Sequence, residues 1–173
     1  PSPSCSASAP YSAIAGGWIN EIRSASPGSF IGSGASNVIA DGSFSSTLAG
    51  GGGNTISTGP YGSIGGGHWN LITGTANYAT IPGGESNEVR GDYALAAGRR
   101  AQALHNGAFV WGDSTNATVA SSAPDQFVIR ASGGVSLPVN AGNGGTHPFG
   151  ERWRDNAIQA WAAVNAAGTL FAS

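Results

Sequence analysis

One spacing recurs through the first two thirds of this chain and limits what it can fold into. Ile14 is followed by Gly17, Asn20 and Ile22. The same four-position frame returns as Ile31, Gly34, Asn37, Ile39, then as Leu48, Gly51, Asn54, Ile56. It continues as Ile64, Gly67, Asn70, Ile72 and as Ile81, Gly84, Asn87, Val89. A sixth copy, Leu95, Gly98, Ala101, Ala103, keeps the frame without Asn. Successive copies start 14 to 17 residues apart. An aromatic closes most units: Tyr11, Phe30, Phe44, Tyr61, Tyr78, Tyr93 and Phe109.

A period this short cannot hold a helical hairpin, whose repeats exceed 30 residues. It holds two short strands and two tight corners. Stacking such units predicts a parallel β-solenoid, with neighbouring coils about 4.8 Å apart. The leading aliphatics Ile14, Ile31, Leu48, Ile64, Ile81 and Leu95 are expected to form one inward column. Ile22, Ile39, Ile56, Ile72 and Val89 are expected to form a second. Asn20, Asn37, Asn54, Asn70 and Asn87 are expected to form a structural ladder of amides that satisfy one another or the corner backbone. Glycine belongs at the corners, where φ is positive or two coils approach too closely for a Cβ. Most of the 29 glycines then mark order rather than low complexity.

So thin a coil buries little area per residue. Its aromatics, together with Trp18, Trp69 and Trp111, exceed what two aliphatic columns can enclose. Self-association, with each chain burying a face against copies of itself, is the expected resolution. Composition narrows the partners. Charged residues make up 9% of the chain, every basic residue is Arg, and the net charge is −2. No basic stripe exists for nucleic acid. No apolar run approaches the length of a membrane span.

Residues 11 to about 112 resemble the head domain of YadA-like trimeric adhesins. The motifs that carry the likeness are Tyr11-Ser12-Ala13-Ile14-Ala15-Gly16-Gly17, Ser63-Ile64-Gly65-Gly66-Gly67 and Gly91-Asp92-Tyr93-Ala94-Leu95-Ala96-Ala97-Gly98. The segment from Gly107 to Val135 resembles the region that closes such rolls in surface and tail-fibre-like proteins. The resemblance implies an all-β, left-handed parallel β-roll, three copies of which pack side by side around a threefold axis. The coiled-coil stalk and membrane-anchoring barrel of the autotransporter adhesins have no counterpart here. Nor does the helical self-cleaving chaperone of endosialidase-type fibres.

Four regions are expected: a flexible Pro/Ser arm over 1–10, roll repeats over 11–112, a roll-closing or neck segment over 113–139, and a linker with a small C-terminal element over 140–173. The chain opens on Pro without an apolar signal core, which reads as a processed or trimmed form. Cys5, the sole cysteine, reads as a free thiol in the arm, with an inter-chain disulfide as the alternative. In the last region, the stretch 157–164 and Thr169-Leu170-Phe171 read as a β-hairpin turned at 165–168, with a short helix as the alternative. Such a hairpin would form a tip or a polymerisation contact.

No catalytic, cofactor or metal constellation is evident. His68, His105 and His147 lack ligand spacing, and one Cys cannot build a Cys₂His₂ site. Glu85, Glu88 and Asp92 hint at a glycosidase carboxylate pair, but charges on an exposed corner explain them as well. The glycine runs lack the Lys and the strand–helix context of a phosphate loop. The expected function is that of a non-enzymatic, extracellular or cell-surface fibre module: a homotrimeric head for surface attachment or fibre assembly, without cofactor. The alternatives are a phage receptor-binding tail fibre or a head-to-tail filament subunit, then a polysaccharide depolymerase. The receptor, whether host surface, matrix or polysaccharide, is not specified by the sequence.

Overall fold

The computed structural model describes residues 4–135, with the strands Ala162–Val164 and Leu170–Ala172 beyond them. Every strand of the first compact unit pairs in parallel with the strand one coil away. One sheet has eight strands, ordered β1 (Ser6–Ala7), β3 (Glu21–Ile22), β5 (Val38–Ile39), β7 (Thr55–Ile56), β9 (Leu71–Ile72), β12 (Glu88–Val89), β14 (Ala101–Ala103) and β16 (Val119–Ala120). The other runs β2 (Ala13–Ile14), β4 (Phe30–Ile31), β6 (Thr47–Leu48), β8 (Ser63–Ile64), β10 (Thr80–Ile81), β13 (Leu95–Arg99), β15 (Phe109–Gly112) and β17 (Phe127–Arg130), with β11 (Gly84–Glu85) beside β13. The chain alternates between the two sheets, so the architecture is an all-β parallel solenoid of about seven turns.

Two-residue strands suffice because each coil is held by the whole stack rather than by its own length. Ile22, Ile39, Ile56, Ile72 and Val89 are fully buried on the eight-stranded side. Ile31, Leu48, Ile64 and Ile81 are fully buried on the other, with Ile14 half-buried at the end of the column. Leu95 departs from the expected inward column. It pairs with Thr80, so Ala96 takes the place facing the core beside Ile81. The cause is a shortened corner. Three positions separate Ile81 from Gly84, but only two separate Ala96 from Gly98. Shifting by one residue along a strand turns each side chain to the other face.

Glycine is obligatory at one corner column. Gly17, Gly34, Gly51, Gly67, Gly84 and Gly98 all have positive φ, between 86° and 107°. A Cβ at any of them would overlap a backbone carbonyl oxygen of the next coil. The opposite corner is narrow in a different way. Ser26 and Ser29, then Ser43 and Ser46, lie buried there, followed by Gly59 and Gly62, then Ala76 and Ala79. This small-x-x-small pattern recurs with the coil period and was open to recognition in the sequence. The serines form a second polar ladder: Ser26 Oγ accepts the Ser43 amide, and Ser43 Oγ accepts the Gly59 amide.

The region boundaries also differ from expectation. Residues 4–10 are part of the roll, because Ser6 and Ala7 pair with Glu21 and Ile22. The roll also runs past 112, since β16 and β17 add a further coil before the first unit ends at Ser132. In the second unit, Gly133–Ser173, β18 (Ala162–Val164) and β19 (Leu170–Ala172) pair antiparallel. The expected turn at 165–168, the linker over 140–145 and the stretch 157–161 lie outside the described residues.

Candidate interaction surface

The asparagines run along the inside of one corner and are consumed by structure. Each of Asn20, Asn37, Asn54, Asn70 and Asn87 is buried. Each amide nitrogen reaches the carbonyl four residues before it and a glycine carbonyl of the next coil, as Asn54 Nδ2 does with Gly50 and Gly67 at 3.1 and 2.9 Å. Each Oδ1 accepts the backbone N–H of the next coil. The last of these donors is Ala101, which bonds Asn87 at 2.9 Å. At the other end, Cys5 stands in register with Asn20, its Sγ 3.7 Å from the Gly16 carbonyl. No amide of the ladder faces outward to meet a ligand.

The two sheets differ in the charge they present, although the eight-stranded face is itself uncharged at Val38, Thr55 and Leu71. On the eight-stranded face, Glu21 pairs with Arg23 and Glu88 with Arg90, at 3.3 and 2.6 Å. These exposed pairs contribute about 0–1 kcal/mol each. The nine-stranded face carries no charge in either of its two outward columns. One column runs Ala13, Phe30, Thr47, Ser63, Thr80, Leu95, Phe109, Phe127. The other takes the residue after each inward side chain: Ala15, Gly32, Ala49, Gly65, Pro82, Ala97, Trp111, Ile129. Phe127 is 70% exposed, Phe30 41%, and Trp111 and Ile129 37% each. An uncharged face of this extent, carrying large apolar groups in water, is a candidate for interaction.

The aromatics do not form a single column. Phe30 and Phe109 belong to the uncharged sheet face, where Phe109 stacks on Phe127 with centroids 4.6 Å apart. Tyr11, Tyr61, Tyr78 and Tyr93 stand instead at a left-handed turn position, with φ from 57° to 59°. Phe44 lies one residue earlier in its coil and meets Tyr61 edge to face. At the remaining corner Trp18, Ala35, Gly52, His68 and Glu85 follow one another as isolated bridges. His68 there stacks on Trp69, with centroids 4.2 Å apart.

The acidic residues are separately engaged. Glu85 Oε2 lies 3.0 Å from Arg99 Nε, out of line for a hydrogen bond. Glu88 also accepts from Gln102. Asp92 accepts the backbone and side-chain N–H of Asn77 at a turn. The three carboxylates therefore sit in the corner, on the eight-stranded sheet and in the turn. They do not converge into the pair that a glycosidase would need. His105 Nδ1 lies 2.9 Å from Ser121 Oγ, and His147 lies outside the described residues. Among the described residues, no group of three or more His, Cys, Asp or Glu side chains is placed to hold a metal.

Asp113 and Arg130 fasten the last coil. The Asp113 carboxylate accepts from the Ser132 amide at 2.7 Å, the Thr115 amide at 3.0 Å and Arg130 Nε at 2.9 Å. These donors, the Ser132 amide foremost, hold its carboxyl well below the usual carboxylate range. Arg130 also donates to the carbonyls of Arg99, Thr115 and Ala117. Neither charge is left for a ligand in the shallow depression beside Trp111. Comparison with protein-family models, curated proteins and solved structures returned no match.

Proposed function

We propose that this chain is a non-enzymatic extracellular fibre or adhesive module, whose rolls pack side by side as a homotrimer to present a rigid head. The uncharged outer face of the nine-stranded sheet carries this reading. Eight strands about 4.8 Å apart make it roughly 34 Å long, a flat strip suited to the same strip on a second copy. Two charged pairs, Glu21–Arg23 and Glu88–Arg90, stand on the other sheet, and Glu85–Arg99 and Asp113–Arg130 lie outside the two uncharged columns. The threefold stoichiometry, the left hand of the roll and the cell-surface location come from the resemblance to YadA-like heads.

A module of this kind works by multivalent attachment. Its chemistry is binding rather than turnover, which fits carboxylates that are each occupied by a neighbour. Two measurements test it. The purified protein, immobilised on beads, is expected to attach to surfaces or polysaccharide and to release no new reducing ends from that polysaccharide. Turnover would overturn the non-enzymatic reading. Electron microscopy is expected to show discrete short rods, whereas continuous filaments would favour a head-to-tail subunit.

A further inference from the structure

Three of the four tyrosines form a ladder that neither the core nor the uncharged face uses. Tyr61, Tyr78 and Tyr93 occupy equivalent turn positions in three consecutive coils, with φ of 58°, 59° and 57°. Identical backbone geometry at one-coil spacing makes their rings parallel. Tyr61 and Tyr78 have centroids 4.8 Å apart at 3°, and Tyr78 and Tyr93 have centroids 5.2 Å apart at 5°. The three residues are 46%, 49% and 70% exposed. No phenol hydroxyl among them hydrogen-bonds to a described residue. A left-handed backbone is costly for an aromatic residue, about 1–3 kcal/mol each. Gly28, Ser45, Gly107 and Asp125 hold the same turn position in other coils, so the turn itself does not require an aromatic residue.

We propose that Tyr61, Tyr78 and Tyr93 are a site of oxidative tyrosine coupling that staples adjacent coils. The co-reactant is a peroxide used by a one-electron oxidant such as a haem peroxidase. Each of two neighbouring phenols loses one electron and one proton to become a phenoxyl radical. The two radicals join through ring carbons ortho to the oxygens, forming one C–C bond. Each ring then moves the hydrogen from that carbon to its oxygen, restoring both phenols. In sum, two tyrosines and one hydrogen peroxide give one dityrosine and two waters. The stack supplies the encounter: both radicals form on near-parallel rings with centroids 4.8 to 5.2 Å apart, on exposed side chains at a turn. Coils of a solenoid touch only their neighbours, so a link between neighbours opposes the local unwinding by which such folds open. It also closes a chain loop, which lowers the entropy of the unfolded state.

The sequence makes the product easy to read. The chain lacks Lys, so trypsin cuts only at Arg, placing Tyr61 and Tyr78 in peptide 24–90 and Tyr93 in peptide 91–99. After dilute protein is treated with peroxidase and hydrogen peroxide, two products are expected, each lighter by two hydrogens: peptide 24–90 alone, and the joined pair 24–90 with 91–99. Dityrosine fluorescence should appear in chains that still run as monomers on a denaturing gel. Tyr78→Phe keeps the stack but parts the two remaining phenols by two coils, and is expected to lower intrachain dityrosine at least tenfold. Tyr11→Phe, at an isolated turn, is expected to leave it unchanged. An unchanged yield in Tyr78→Phe with its melting temperature preserved, or links found only between chains, would overturn the proposal.

Discussion

Asn54 holds the backbone of Asn70 one coil away. Its Oδ1 accepts the Asn70 amide at 2.9 Å and the Asn70 side-chain nitrogen at 3.1 Å, and both residues are buried. The amide is the only side chain that both donates to two carbonyls and accepts an N–H from one position. Asn54→Ala would leave the Asn70 N–H unpaired in a dry corner and is expected to cost about 3 kcal/mol. Asn54→Asp, which brings a charge toward the Gly50 and Gly67 carbonyls, is expected to cost more. Urea denaturation of the three proteins checks the order.

The corner glycines divide into two kinds, those of the recurring frame and those beside it. Gly51 has φ of 86°, and a Cβ on it would strike the Gly67 carbonyl oxygen. Gly16 has open space around its missing Cβ. Gly51→Ala is expected to destabilise by about 3 kcal/mol or more, and Gly16→Ala to stay within about 0.5 kcal/mol of wild type. Thermal melts of the two variants give the comparison. Equal effects would remove the close approach of coils as the reason for the glycine column.

The inward columns make a parallel prediction. Ile56→Ala leaves a cavity between two fully buried neighbours, Ile39 and Ile72, and is expected to cost about 2–5 kcal/mol. Leu95→Ala, outside the column, is expected to cost about 1 kcal/mol. A larger loss at Leu95 than at Ile56 in urea denaturation would contradict the assigned register.

Acid should loosen the last coil first. The Asp113 carboxyl is held below its unfolded value by its amide and guanidinium donors. Its contribution is therefore complete above the ordinary carboxylate pKa and fades as pH falls below about 4. Asp113→Asn lacks that titration. The stability difference between wild type and Asp113→Asn is expected to be largest near neutral pH and to shrink steadily toward pH 2. A difference that grows on acidification would contradict the assigned donors.

Much of this architecture was legible from the Ile–Gly–Asn–Ile frame, because a solenoid places each type of residue in its own column. The frame misled where one residue dropped out. The corner before Gly98 is shorter, and Leu95 turned outward while Ala96 turned in. Tyr11, Phe30 and Phe44 looked equivalent in sequence because aromatic character alone does not tell a turn from a strand. The pattern of left-handed φ separates them. The Pro/Ser composition of residues 4–10 suggested an arm, yet backbone pairing to the Glu21 strand needs no particular side chain, and so leaves no mark in composition. The uncharged face was the hardest to read. An uncharged sheet face is a property of sixteen positions spread over eight strands, visible only once the register is known.

Self-association through that face is read from the mass in solution. Light scattering on the intact chain is expected to give three times the 17.1 kDa chain mass. Ser63→Arg, which sets a charge in the middle of the face at a partly exposed strand position, is expected to lower that mass toward one chain while the circular dichroism stays unchanged. A wild-type chain that runs as a monomer, or a Ser63→Arg protein that keeps the full mass, would contradict it.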